Sequence, residues 1–344
     1  MKIIKLLDCT LRDGGYVNDW RFGKYGILNT ISSLEEAGID IIELGFIRND
    51  QYDENRTVFS SIEQISDLIT EKKKNIEYVA MAEATNPISM EYITPKTEHT
   101  VDSIRVIVWK DKHDDNGNVV DALQDGYKYC KEFIDKGYDL YVQPARVEQY
   151  SDEEFVEMLK LFSDLKPKAV YIVDSWGTMY SDDVLHYLGL ADKNLDLSVR
   201  LGFHGHNNLM QAFSNAVEFI NYNSDRELIL DSSVYGIGRG AGNLNTELIA
   251  KYLNEKKGKG YRIQPLLDIY DDLINHIRTE HAWGYTAPFF LSALHHANPQ
   301  YGNFFGEKHE ISSRDVNDIM SSFSDVEKLM FSKKTAEEYC NKVL

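Results

Sequence analysis

The 344-residue chain has little cysteine, no excess of positive charge and no long apolar run. Its three cysteines, Cys9, Cys130 and Cys340, are too few and too scattered for a disulfide framework, and no Cys-x-x-Cys occurs. The opening MKIIKLLDCT has too short an apolar stretch for a secretion signal, and Asp8 interrupts it. No segment approaches the roughly 20 apolar residues of a membrane-spanning helix. A soluble, reducing, cytoplasmic setting is therefore expected. Lys and Arg number 37 against 55 Asp and Glu, a formal net charge of -18. A basic footprint is absent, which argues against nucleic acid or an anionic membrane as partner. The acidic surplus reads as a solvated surface. Internal repeats and low-complexity segments are also lacking.

What is present is a globular composition, 43% apolar and 27% charged, at a length that supports a sizeable core. Short apolar runs at 2–8, 39–46, 76–82, 103–109, 139–145, 169–175, 197–204 and 227–233 predict strands. Amphipathic stretches between them predict helices. Ser151 with Glu154 has the form of a capping box, and Gly38 and Gly137 are placed to end helices. EKKKN (71–75) reads as a helix end that favours positive charge. Alternating strands and helices predict an α/β fold with a parallel sheet, and eight strands in about 250 residues match a (β/α)8 TIM barrel. A doubly wound open sheet is the competitor, since periodicity alone does not decide closure. After residue 262 strands give way to helices, so residues 1–262 are expected to form the barrel and 263–344 a smaller helical C-terminal domain.

In such a barrel, catalytic groups gather at the C-terminal ends of the strands. DCTLRDGGY supplies Asp8, Arg12 and Asp13 there. The second strand carries Glu43 in an apolar run, the fifth ends near Gln143 and Arg146, and the sixth ends in Asp174 and Ser175. In LGFHGH, His204 and His206 are two apart, so strand alternation points both imidazoles one way. Each signal has a plainer explanation: an Asp-Gly turn, a core histidine, a buried carboxylate paired with arginine. Together, two histidines and a carboxylate make a metal triad with open positions. DKHDDNGNVVD (111–121) fails calcium-loop spacing, because Lys112 falls at the first ligand position and Leu123 where the final Glu belongs. GIGRGA (236–241) matches a dinucleotide fingerprint but comes at the last strand without a βαβ partner. Lining a site or binding an anion suits that loop better.

TLRDGG, IELGF, DSWGTM, GFHGHNN and GIGRGAGNLNTE occur in this order over roughly residues 5 to 250. Jointly they resemble the DRE-TIM metallolyase superfamily, the HMG-CoA lyase-like enzymes, and most closely its 4-hydroxy-2-oxovalerate aldolase branch. WGYTAPFFLSALHHANPQYG resembles that branch more loosely. The resemblance implies a closed barrel and a divalent metal ion, Mn2+ or Mg2+ first, with Zn2+ or Co2+ as alternatives. By motif, Asp13, His204 and His206 fall on the metal-ligand positions, and Arg12 on the arginine that steadies an enolate. Glu43 falls on the glutamate supporting them, and Ser175 lies where a substrate carboxylate is held. Asn243 falls where some members have a further ligand.

The implied reaction is cleavage or formation of a 4-hydroxy-2-oxo acid through a pyruvate enolate, with small 2-oxo acid and aldehyde substrates. The chain departs from the branch at Tyr16, where a histidine serves as acid/base. Tyr16 activated by the site, His113, or a metal-bound water are the substitutes, unless Tyr16 only shapes the pocket; a larger 2-oxo acid substrate is also open. The C-terminal helices lie where the resembling aldolases meet an aldehyde dehydrogenase partner; packing or homo-oligomer formation are the alternatives there. Tyr285 could reach the site from that region. Two other functions stay open: an acyl-CoA-dependent Claisen-type synthase or lyase, and a non-catalytic metabolite-binding relative.

Overall fold

Eight parallel strands make the central sheet: β1 Ile4–Asp8, β2 Ile41–Ile47, β3 Glu77–Glu83, β4 Ser103–Val108, β5 Asp139–Pro144, β6 Ala169–Asp174, β7 Arg200–Gly205 and β8 Leu228–Ser232. They are seen in a computed structural model of the chain that describes residues 3–69, 71–113 and 119–343, with the backbone alone for His113, Val119 and Val343. β1 pairs with β8 (Ile4 with Leu228 through Asp8 with Ser232) and also with β2 (Leu7 with Ile41). The sheet therefore closes, and the open-sheet alternative falls. Helices predicted between strands form close to their expected bounds. Asp152–Ser163 starts with the Ser151/Glu154 capping box, and Lys24–Ala37 ends at Gly38, whose φ of +77° suits a left-handed cap.

Two features were not in the sequence reading, and one reading is corrected. Val58–Phe59 adds a short parallel pairing on β2, and Asp111–His113 pairs antiparallel with Val119–Asp121. The 71–75 stretch does not end a helix: the preceding helix stops at Ser66, and the lysines lie in the approach to β3, where Lys72 pairs with Asp102 at 2.7 Å. Residues 114–118 of the rejected calcium loop lie outside the described residues.

The outward face of the strands is apolar and packs on the helices, while the barrel interior is filled largely by polar side chains at alternate positions. Near the N-terminal end, Glu77 accepts from Lys168 (2.7 Å) and Tyr141 (3.0 Å). In the middle, Tyr171 occupies space left by Gly202, where a Cβ would lie 2.3 Å from the ring. Arg105 lies 4.8 Å from the Tyr171 ring centroid and pairs with Glu43 at 2.9 Å and with Asp231. The helical run from Gln264 to Glu280 packs Leu266, Ile269, Ile274 and Ile277 into the barrel's own apolar cluster. Later helices build a separate cluster around Tyr301, Phe305, Met320 and Phe323. Among the described residues no helix is long and apolar enough to cross a membrane.

Removing one partner from a buried ion network strands the others without compensation. Arg105→Met is therefore expected to cost about 3–5 kcal/mol of folding free energy, measured by urea denaturation. A loss below about 1 kcal/mol would mean that Glu43 and Asp231 do not depend on it.

Candidate functional site

The site begins where β1 ends. Asp8 is buried and accepts from the Thr10 backbone N–H (2.9 Å) and the Thr246 hydroxyl (2.7 Å). Burial pushes its pKa up to about 6, against those hydrogen bonds. Asp8 thus starts the helical turn Thr10–Asp13 rather than facing the cavity, and that turn carries Arg12 and Asp13 to the C-terminal mouth of the barrel.

Arg12 donates through Nε to Glu43 (2.7 Å) and through Nη1 to Asp13 (2.5 Å). The Trp20 indole N–H holds its carbonyl at 2.7 Å. Glu43 in turn pairs with Arg105, Arg105 with Asp231, and Asp231 with Nδ1 of His204 at 3.0 Å. A continuous charge chain thus runs from Asp13 to His204. His206 has its Nδ1 on the carbonyl oxygen of Asp174 at 2.9 Å. Fixing Nδ1 in both rings leaves Nε2 as the ligating atom, the usual outer support of metal-binding histidines.

Asp13, His204 and His206 offer ligand atoms that all lie within 4.8 Å of one another. His206 Nε2 is buried without a hydrogen-bond partner, 3.6 Å from Asp13 Oδ2. Burial would raise the Asp13 pKa, but Arg12 and His206 hold it well below the usual carboxylate range. Burial lowers the His204 pKa against Asp231, favouring the neutral ring that a metal needs. In the chain, the guanidiniums of Arg12 and Arg105 face three carboxylates, Asp13, Glu43 and Asp231, leaving negative charge over. The donor set, the orphaned nitrogen and the surplus charge all fit a divalent cation.

The triad opens into a small cavity of about 60 Å³ that Arg12, Tyr16, Ser175 and Arg239 also line. Ser175 Oγ accepts the Arg146 N–H at 2.8 Å. Tyr16 is 40% exposed, its ring edge-on to Trp20 at 4.9 Å. Although the residue is partly exposed, desolvation on its cavity side raises its pKa, against Arg239 and Arg12, so its hydroxyl stays protonated. Glu43 lies behind Arg12 and does not reach the cavity. Asn243 donates to Asp13 Oδ2 at 2.6 Å, and its own Oδ1 is buried without a partner. Tyr285 is not brought here: it is 55% exposed and its ring neighbours Phe290. The side chain of His113 lies outside the described residues.

The GIGRGA loop folds over Asp13: Gly238 has room for no side chain, since a Cβ would lie 2.4 Å from Asn243 Nδ2 and 2.6 Å from Asp13 Oδ2. The sequence reading missed Arg105, Asp231 and Glu83, and it placed the loop of Arg239 at a site without singling out that residue. For Arg105 and Asp231 the available signal was a charge inside an apolar strand, the same signal that drew attention to Glu43.

Behind Ser175, burial pushes the Glu148 pKa up to about 8, with the Asp174 charge adding to it.

A closed barrel with an Asp–His–His cluster and an arginine at its C-terminal mouth has the layout of a TIM-barrel enzyme. The HMGL-like family profile matches residues 3–273, and the chain belongs to that family. It is 27% identical over 253 residues to a 4-hydroxy-2-oxovalerate aldolase of Geobacillus genomosp. 3, covering 73% of this chain and 70% of that protein. It is 26% identical over 264 residues to an oxaloacetate decarboxylase of Mycobacterium tuberculosis (strain ATCC 25618 / H37Rv), covering 73% and 70%. The HMG-CoA lyase of Brucella melitensis shares the fold, with a TM-score of 0.60 at 15% identity over 78% of this chain and 96% of that one.

Two predictions follow from the geometry. Asp231→Asn, which touches no ligand atom of the cluster except through His204, is expected to weaken Mn2+ binding by about 10–100-fold in calorimetry. Binding equal to wild type would detach Asp231 from the metal site. Glu148, whose folded pKa is raised from 4.5 to about 8, contributes stability that is full below pH 4.5 and lost as pH rises through 8. Glu148→Gln should flatten that loss in urea denaturation between pH 5 and about 9; an unchanged profile would contradict it.

Proposed function

We propose that the protein is a divalent-metal-dependent aldolase that cleaves or forms a 4-hydroxy-2-oxo acid by way of a pyruvate enolate. The observation that carries this reading is the joint placement of Arg12 and the Asp13–His204–His206 cluster on one cavity. Those three residues would hold the ion, Mn2+ or Mg2+ first. When bound it supplies Lewis acidity toward the charge that develops on a 2-oxo group.

In the cleavage direction the C4 hydroxyl loses its proton and the C3–C4 bond breaks. Its electron pair moves to the C2 oxygen, and C3 then takes a proton to give pyruvate. Arg12 is suited to the developing oxyanion. Nε and Nη1 are pinned by Glu43 and Asp13, so the guanidinium is rigid, and Nη2 has no hydrogen-bond partner among the described residues. A donor fixed in advance needs no reorganisation as charge develops. Ser175 is placed to receive the substrate carboxylate. Tyr16, held protonated, acts as a hydrogen-bond donor, and Glu83, on the same cavity, supplies a carboxylate for the hydroxyl proton. No lysine Schiff base is required.

A second reading is decarboxylation of a 2-oxo diacid through the same enolate. Tyr16 favours it, because loss of carbon dioxide needs no base for a hydroxyl proton. An aldehyde dehydrogenase partner and a homo-oligomer remain proposals for the C-terminal helices.

The test is proton NMR of pyruvate in deuterium oxide, with metal-stripped protein and then with Mn2+ restored, with and without an aldehyde. Metal-dependent loss of the methyl signal is expected, abolished by His204→Ala and slowed about 10²–10³-fold by Arg12→Ala. Exchange that survives Arg12→Ala within a few-fold would overturn the assigned mechanism. Loss of carbon dioxide from oxaloacetate without any aldol turnover would select the second reading.

A further inference from the structure

The cavity at the metal cluster continues outward. Tyr16, Glu83, Trp109 and Arg239 line it and also line a second cavity of about 450 Å³, so the four form a neck between the two. The C-terminal helical region roofs the outer space through Asn298, Gln300, Met330 and Phe331. A substrate whose 2-oxo acid end lies at the cluster extends its other half through this neck.

The cations here are not equivalent. Arg146 pairs with Asp111 at 2.7 Å, and Lys112 with Asp125 at 2.6 Å. Arg239 makes no ion pair among the described residues. Its guanidinium lies 5.8 Å from the Tyr16 ring centroid and has one long hydrogen bond, 3.4 Å, to Asn298 Oδ1. The neck carboxylate is not ion-paired with it: Glu83 Oε1 accepts instead from the Trp109 indole N–H (3.0 Å) and the Thr85 hydroxyl (3.1 Å). The backbone is committed as well, since the Arg239 N–H points at Asp13 Oδ2 (3.4 Å), which ties the residue to the metal cluster. A partly buried guanidinium with no ion-pair partner among the described residues, on the passage the substrate must occupy, suits a ligand that brings a carboxylate to it.

We propose that Arg239 binds a carboxylate on the aldehyde half of the substrate, so that the substrate is a 4-hydroxy-2-oxo diacid and the released aldehyde is itself an acid. This rests on the aldolase reading above. A single unpaired cation matches a single negative charge. A phosphate dianion would need more donors and would face Glu83 and Asp111 on the same walls. Arg239 therefore sets specificity, while Arg12 and the cluster carry the chemistry.

The test uses the full-length, Mn2+-loaded protein and 2-oxo acids that lack a 4-hydroxyl and so bind without being cleaved. 2-Oxoglutarate is compared by calorimetry with 2-oxopentanoate, and 2-oxoadipate with 2-oxohexanoate, which brackets the spacing to Arg239. At least one diacid is expected to bind about tenfold more tightly than the monoacid of the same length. Arg239→Gln should bring that ratio close to one, and Arg239→Lys should keep part of it, with melting curves confirming that both variants fold. Equal binding of acid and diacid at both lengths, or a preference that survives Arg239→Gln, overturns the proposal. Tighter binding of 2-oxo-4-phosphonobutanoate than of 2-oxoglutarate overturns the carboxylate in favour of a dianion. Pyruvate exchange on the same preparations separates the two readings. Exchange without diacid preference removes the role of Arg239 alone; diacid preference without exchange removes the aldolase reaction alone.

Discussion

The structure depends on the ion pair between Arg105 and Glu43 in the middle of the barrel, and on its extension to Asp231. Charges so deep carry a desolvation cost that only close partners offset. Arg105 therefore dictates where Glu43 and Asp231 sit, Glu43 where the Arg12 guanidinium lies, and Asp231 which nitrogen of His204 faces the cavity. The interior is less an apolar filling than an electrostatic scaffold, with Tyr171 as its main packing element. Its surplus of negative charge suits the Asp13, His204 and His206 cluster to a cation.

Around that chain, each neighbouring element removes one degree of freedom. Trp20 fixes the backbone at Arg12, Asp174 orients His206 through its carbonyl, and the glycine loop after β8 closes on Asp13 through Asn243. Charge-assisted hydrogen bonds supply the rigidity that preorganised catalysis requires. Outside this shell the C-terminal helices complete the walls of the outer cavity but reach no ligand. On the proposed reading, chemistry and selectivity are carried by different layers of the same mouth.

Much of the barrel was legible in the sequence, because strand runs with buried outer faces and amphipathic helices have periods that survive without tertiary context. The eight strands stand within a few residues of their expected bounds, and the capping box at Ser151 and the cap at Gly38 form as their residue types require. The EKKKN stretch misled because a run of lysines suits a helix end and an exposed loop equally well. Arg12, Asp13, Glu43, His204 and His206 were identifiable from their motifs, and the alternation of LGFHGH already aimed both imidazoles one way. Asp8 looked like a site residue only because it is next to that constellation in the chain; its hydrogen bonds make it a turn former.

By itself the sequence determined the periodicity, the order of elements and the chemical types of the side chains at each strand end, all of which are local properties. Only the tertiary structure decided that the sheet closes, since closure depends on β1 reaching both β2 and β8. It also decided that Arg105 and Asp231, 126 residues apart, share one charge chain, and that Arg239 rather than Tyr285 stands at the neck of the cavity. Those outcomes rest on long-range register and on the cost of leaving a buried charge unpaired, and neither is written in any short stretch of the chain.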